Sequence, residues 1–188
     1  MKSAAAWLLS LLEWLLLGVG LGTLGMYGYE SVEARRFQAE QAAAFERAAR
    51  SPVPPSRIQP GGLVGMLDVP RLKLSTPVIE GDDDRTLKRA VGHLPDTPMP
   101  WESGNSAIAG HRDGLFRPLK DVKAGDEIRF RTTGDELRYK VTKTSIVMPD
   151  DLSVLEPQSG ATLTLITCYP FYYVGSAPKR FIVHAVRE

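Results

Sequence analysis

From Ala4 to Tyr29 the chain is apolar apart from Glu13, a run long enough to cross the roughly 30 Å hydrocarbon layer as a helix. A carboxylate inside a bilayer costs about 3 kcal/mol, but Glu13 lies in the N-terminal half of the run, within reach of the interface. Gly28-Tyr29-Glu30-Ser31 offers no small-x-small cleavage site, so residues 1–29 are expected to be an uncleaved membrane anchor. Lys2 on one side faces Arg35 and Arg36 on the other, diluted by Glu30 and Glu33, so flanking charge assigns no orientation. Glu30 to Arg50 is Ala, Glu, Arg and Gln without Gly or Pro, which predicts a helix. Phe37 and Phe45 could share a face of it, but a solvated stalk is the favoured reading over a partner-binding helix. Ser51 to Gly62 is Pro-rich and ends in Gly-Gly, a semi-extended linker closing the 30–62 segment.

From Leu63 the texture changes to short β-type runs separated by Gly, Pro, Asp and Asn. They are Leu63 to Val69, Thr76 to Ile79, Ser106 to Ala109, Glu127 to Arg131, Leu137 to Ile146, Thr162 to Thr167 and Arg180 to Val186. About seven or eight strands in residues 63–188 predict a mainly β domain, a small barrel or sandwich. Asp84 to Val91 is the one short helix expected, and neither a Gly-rich phosphate loop nor a repeat occurs.

Composition narrows the function classes. The 188 residues, 43% hydrophobic, suffice for one domain with appendages. The 23 Lys and Arg nearly balance the 22 Asp and Glu, so no global field would hold nucleic acid. The single cysteine, Cys168, has no internal disulfide partner.

A lone cysteine is by default a small buried hydrophobe. In ATLTLITCYP, however, strand alternation places Leu163, Leu165 and Thr167 on one face and Thr162, Thr164, Ile166 and Cys168 on the other. Tyr169-Pro170 ends the ladder, leaving Cys168 at a strand end where side chains meet a cleft. If the strand from Arg180 returns antiparallel, Arg180 starts beside Cys168, where a guanidinium favours thiolate and can stabilise an oxyanion. A surface Arg bracketing an edge strand is the blander alternative. Of the three histidines, His184 lies four residues along the strand from Arg180, about 13 Å away at 3.3 Å per residue. His93 follows the expected helix at Gly92 and reads as a capping or loop residue. His111 ends the apolar run Asn105 to Gly110, where a strand-end His can supply a proton to a leaving amine.

These residues resemble the sortase family. Thr164-Leu165-Ile166-Thr167-Cys168 is similar to the TLxTC signature, Gly104 to Arg112 to the strand leading to the catalytic His, and Ala177 to Val183 to the Arg strand. The likeness runs over residues 63–188, including Gly65 to Leu72 and Pro77-Val78. It implies an eight-stranded sortase β-barrel, an N-terminal single-pass anchor in a bacterial cell membrane and an extracytoplasmic catalytic domain. Cys168 to Tyr173 followed by Gly175 to Pro178 looks most like class D. The lid and C-terminal membrane segment of class C and the helical insertion of class B are not seen in the sequence, while class E shares much of the plan.

The implied reaction is acyl transfer, with Cys168 as nucleophile on the Thr carbonyl of an LPXTG-like sorting signal, His111 as acid then base, and Arg180 on substrate and oxyanion. Thr167, Ala109, Gly110, Tyr169, Leu152 and Val154 are the expected substrate-binding residues. The implied partners are sorting-signal proteins and an amine such as a peptidoglycan precursor. Asp82-Asp83-Asp84 and Asp150-Asp151 suggest Ca²⁺, but solvated loop carboxylates are the favoured reading, and no metal or cofactor is expected. Two rivals remain: a cysteine endopeptidase using the same site with water as acceptor, and a membrane-tethered binding barrel with an inert cysteine.

Overall fold

Period-2 alternation from Leu63 onward becomes eight strands in a computed structural model that describes residues 4–49 and 58–188. The strands are β1 (Leu63–Val69), β2 (Leu74–Glu80), β3 (Val91–His93), β4 (Gly104–Gly110), β5 (Glu127–Arg131), β6 (Glu136–Val147), β7 (Ala161–Tyr169) and β8 (Lys179–Arg187). They close in the order β1-β2-β3-β4-β7-β8-β6-β5, which leaves no open sheet edge. Two pairs are parallel, β2 with β3 and β4 with β7; the rest are antiparallel.

Alternation fills the interior. Leu67, Val78, Ile108, Phe116, Phe130, Leu163, Leu165 and Val183 are inaccessible to solvent and pack as one cluster. Seven strands lie where hydrophobic alternation predicts them, with ends shifted by at most two residues. The eighth, β3, is too short to show a period and corrects the expected helix over Asp84 to Val91. That helix, α2, covers only Asp84–Leu87. Asp83 caps it by accepting from the backbone of Arg85 and Thr86. Beyond it the chain must come close to β2: a Cβ on Gly92 would lie 2.1 Å from the Gly81 carbonyl oxygen.

His93 is therefore a buried strand residue rather than a loop or capping residue. Its Nδ1 lies 2.7 Å from Glu80 Oε2 and its Nε2 3.0 Å from the Pro98 carbonyl oxygen, so the side chain is spent inside the barrel. Tyr139, also inaccessible, donates its hydroxyl to the Pro100 carbonyl. Asp126 receives Arg71 through both carboxylate oxygens, which holds its carboxyl below the usual range.

The N-terminal helix α1 runs Ala4–Ala49, and the chain divides into two compact units, Met1–Phe37 and Gln38–Glu188. In the first unit the leucines and aromatics from Trp7 onward are exposed, and the helix that begins there is long and apolar enough to cross a membrane. In the second unit the end of α1 is not the free-standing stalk expected for it. Gln38 donates to the Arg89 carbonyl, Phe45 is 3% exposed, and Arg131 lies over the Phe45 ring while reaching Glu46. Burial of one aromatic ring is worth more than the solvation of the Ala-rich face around it. Most of the Pro-rich linker, residues 51–57, lies outside the described residues, as does Arg50 before it.

Burial pushes the Tyr139 phenol up from 10 to about 12. The stability tied to its neutral form is present in full below pH 10. It is lost between about pH 10 and 12, because the unfolded chain's phenol ionises first. Tyr139→Phe should cost about 1–3 kcal/mol at neutral pH by orphaning the Pro100 carbonyl. Denaturation melts should show that gap from wild type narrowing through the alkaline window.

Candidate active site

β7 lies between β4, which runs parallel to it, and β8, which runs antiparallel, and this pair of registers assembles the site. Gly110 on β4 pairs with Thr167, so His111, the next residue, comes out level with Cys168. Cys168 in turn pairs directly with Arg180. Paired residues point to the same side of a sheet, so Cys168 and Arg180 share the outer face with His111 at the adjoining strand end. All three are partly exposed. Thr167 points the other way, is 2% exposed, and donates its hydroxyl to the Gly110 carbonyl at 2.7 Å, fastening the two strand ends together.

Two of the expected substrate contacts, Thr167 and Gly110, are buried and bonded to each other. Gly110 is needed for close packing, since a Cβ there would lie 2.7 Å from the Phe116 ring and 2.9 Å from Val91. Ala109 and Tyr169 are partly exposed beside the rim, and Leu152 and Val154 sit in a 3-10 helix, Leu152–Leu155, on the β6–β7 connection.

Asn105, absent from the expected site, holds that connection. Its side-chain amide donates to the carbonyls of Val154 at 2.9 Å and Glu156 at 3.3 Å. Its oxygen accepts from Thr164 at 2.7 Å and Thr162 at 3.3 Å. The residue is 2% exposed with both ends of its amide occupied, so it acts as a tether. Nothing local in the sequence announces this, because its partners are about 50 residues away.

A second tether starts beside His111. Arg112 donates to the carbonyls of Tyr173 and Gly175, both at 2.9 Å, and lies over the Tyr173 ring. Lys120 donates to the Tyr172 hydroxyl at 2.9 Å, which holds that phenol below its usual value. These contacts pin the β7–β8 loop, whose tip at Val174 is 99% exposed. Tyr169, Phe171 and Phe181 cluster at the root of the loop with centroids 5.2 to 6.3 Å apart, Tyr169 stacked on Phe181 and Phe171 edge-on to both. The Tyr169–Pro170 bond there is cis. Arg180 donates through Nη1 to the carbonyls of Lys179, its neighbour at the start of β8, at 3.2 Å and of Ala177 in the loop at 3.5 Å, so its guanidinium is folded back toward the loop in this state.

The other two histidines lie elsewhere. His93 is inside the barrel, and His184 pairs with Thr164 four residues below Cys168 on the same face. Of the aspartates considered for Ca²⁺, Asp83 caps α2 and Asp151 accepts from the backbone and hydroxyl of Ser153. Among the described residues no group of three or more His, Cys, Asp or Glu is placed to hold a metal.

Residues 67–188 match the sortase domain family. The chain belongs to the sortase family. It is 40% identical over 128 residues to sortase D of Bacillus subtilis (strain 168), an alignment covering 68% of this chain and 65% of that protein. The chain thus spans just under two thirds of that relative. It is 32% identical over 157 residues to sortase SrtE1 of Streptomyces coelicolor, covering 71% of this chain and 44% of that protein. Among solved structures, a Clostridium perfringens sortase D5 transpeptidase superposes with a TM-score of 0.69 at 27% identity, covering 82% of this chain and 97% of that one. The sortase barrel and the expected likeness to class D members stand on these matches.

Gly110→Ala should push the end of β4 off Phe116 and Val91 at a cost of about 1–3 kcal/mol. Thermal melts would measure it, and a melting point equal to wild type would mean that the strand end has slack.

Proposed function

We propose that this sortase is a membrane-anchored cysteine transpeptidase that cleaves an LPXTG-like sorting signal between Thr and Gly and passes the acyl group to an amine. The observation that supports this most is the direct cross-strand pairing of Cys168 with Arg180, with His111 emerging level with them from β4. Three side chains from distant parts of the chain converge on one rim and remain accessible.

Cys168 Sγ attacks the Thr carbonyl carbon, and the electron pair of the C=O bond moves onto oxygen. Arg180 is the donor suited to that oxyanion once its guanidinium turns from the Ala177 and Lys179 carbonyls toward the substrate. As the tetrahedral centre collapses, the C–N bond to Gly breaks and His111 gives its proton to the departing amine. An acceptor amine then attacks the thioester, His111 removes its proton, and Cys168 leaves as thiolate. An amine on a peptidoglycan precursor or on another protein suits this step. The apolar stretch of α1 serves as the single-pass anchor of a bacterial cell membrane, with the barrel on the extracytoplasmic side.

Incubating the full chain in detergent with a labelled LPXTG-like peptide, with and without an added amine, tests the reading. An amide product that grows with amine concentration is expected. Release of the free acid alone at every amine concentration would make the protein an endopeptidase instead. Cys168→Ala should abolish both products and leave the melting point near wild type, because the thiol is partly exposed and outside the core.

Arg180→Lys keeps the charge but loses the planar fork of donors, and should lower kcat/KM by about 10²- to 10³-fold. Single-turnover rates read this directly. A Lys enzyme with near wild-type turnover would reduce Arg180 to a source of field.

A further inference from the structure

Below the catalytic rim, the outer face of β4, β7, β8 and β6 continues as ordered rows. Ile166 pairs with Ile182 in the row beneath Cys168 and Arg180, and Thr164 pairs with His184 in the row beneath that. Lys143 on β6 pairs with His184 and extends this second row. Here the face opens into a cavity of about 290 Å³, roofed by Val154 and the segment that Asn105 tethers.

The lining has an unusual charge balance. β6 contributes Lys143 and β8 contributes His184. β4, β7 and the β6–β7 segment contribute only uncharged side chains, including Asn105, Thr164, Val154 and Gln158. No carboxylate lines it, and Lys143 makes no salt bridge among the described residues. Ser145 lies 3.2 Å from His184 Nε2, while Nδ1 has no partner among the described residues. Burial, and after it Lys143, hold the His184 imidazole below its usual value, as a cavity short of negative charge would. A concave site with convergent donors and no acceptor of full charge is complementary to an anion.

Distance decides which part of a substrate reaches it. Thr164 and His184 lie four residues below Cys168, about 13 Å at 3.3 Å per residue. The pinned β7–β8 loop occupies the other end of the rim, so an extended acyl chain has this face to lie along. Four residues before the scissile Thr is the residue immediately preceding the Leu of an LPXTG-like signal. In an extended chain its side chain points to the same side as that Thr.

We infer that Lys143 and His184 form a specificity pocket for an acidic side chain immediately before the sorting signal, so that the preferred substrates read Glu or Asp followed by the LPXTG-like motif. This rests on the sorting-signal reading of the site above. Lys143 supplies the charge and His184 the directed ring nitrogen, while Ile166, partly exposed in the row between them and Cys168 where Ile182 is fully covered, faces the motif itself.

The test uses four labelled LPXTG-like peptides differing only in the residue before Leu, as Glu, Gln, Ala or Lys. Binding to the full-length Cys168→Ala chain in detergent is read by fluorescence anisotropy, and kcat/KM is measured on the wild-type chain. Glu is expected to exceed Ala by about tenfold or more in both, with Lys weakest. The Glu-to-Ala ratio should fall to near one in Lys143→Gln and in His184→Gln, and Lys143→Glu should invert the order in favour of the Lys peptide. A merely structural role for Lys143 would not produce that inversion. Equal use of all four peptides overturns the inference and leaves the proposed function standing. So does a Lys143→Gln variant that, with a second peptide set varied at Leu, changes selection there and not before it, since the cavity then takes the motif's own Leu. Failure of every peptide to bind sinks the sorting-signal reading and this inference with it.

Discussion

Parallel pairing of β4 with β7 is the constraint on which the site depends. Two strands running the same way end at the same rim, so the residues that follow or finish them, His111 and Cys168, come out side by side. An antiparallel neighbour, β8, then has to begin where β7 ends, and this sets Arg180 against Cys168. The bond from Thr167 to the Gly110 carbonyl closes the arrangement from inside. A one-residue slip in either ladder would send Cys168 into the core and Thr167 into the cleft, because strand side chains alternate. Gly110 protects the register by letting β4 approach Phe116 and Val91 more closely than any Cβ allows.

Around this fixed rim, polar side chains add to the aromatic packing of Phe171 and Phe181 in holding the surrounding segments. Asn105 anchors the β6–β7 segment and Arg112 anchors the β7–β8 loop, each through backbone carbonyls of its target. Backbone carbonyls are present whatever the side-chain sequence of a loop, so such tethers hold a loop independently of its composition. The β7–β8 loop bounds the rim and the β6–β7 segment bounds the cavity below it, which makes the anchoring residues part of how this face is shaped although they present little surface to it.

Helix α1 carries two physical characters in one uninterrupted element. Its leading part exposes Leu, Trp and Tyr all around, as suits lipid, and its last turns belong to the barrel unit through Phe45 and Gln38. An Ala-rich helix has little amphipathic contrast, and in its last turns the buried Phe45 ring is joined by the polar contacts of Gln38 and Glu46.

Much of this was legible in the residues alone. Alternation placed seven strands, because a half-buried strand must repeat every two residues, and it set Cys168 at a strand end opposite Arg180. The TLITC and Gly-His pattern also carried the family likeness that the match over residues 67–188 bears out. Local pattern was blind to whatever depends on partners far along the chain. β3 is three residues long and exists only because β2 and β4 flank it, so His93 looked like a loop residue while its nitrogens were committed to Glu80 and Pro98. That Thr167 and Gly110 are buried and bonded to each other likewise follows from the β4–β7 register and not from either segment alone. The rows that align Lys143, His184 and Thr164 beneath Cys168 were beyond the sequence for the same reason. A strand's own residues determine which of its side chains share a face, but only tertiary pairing determines what stands beside them.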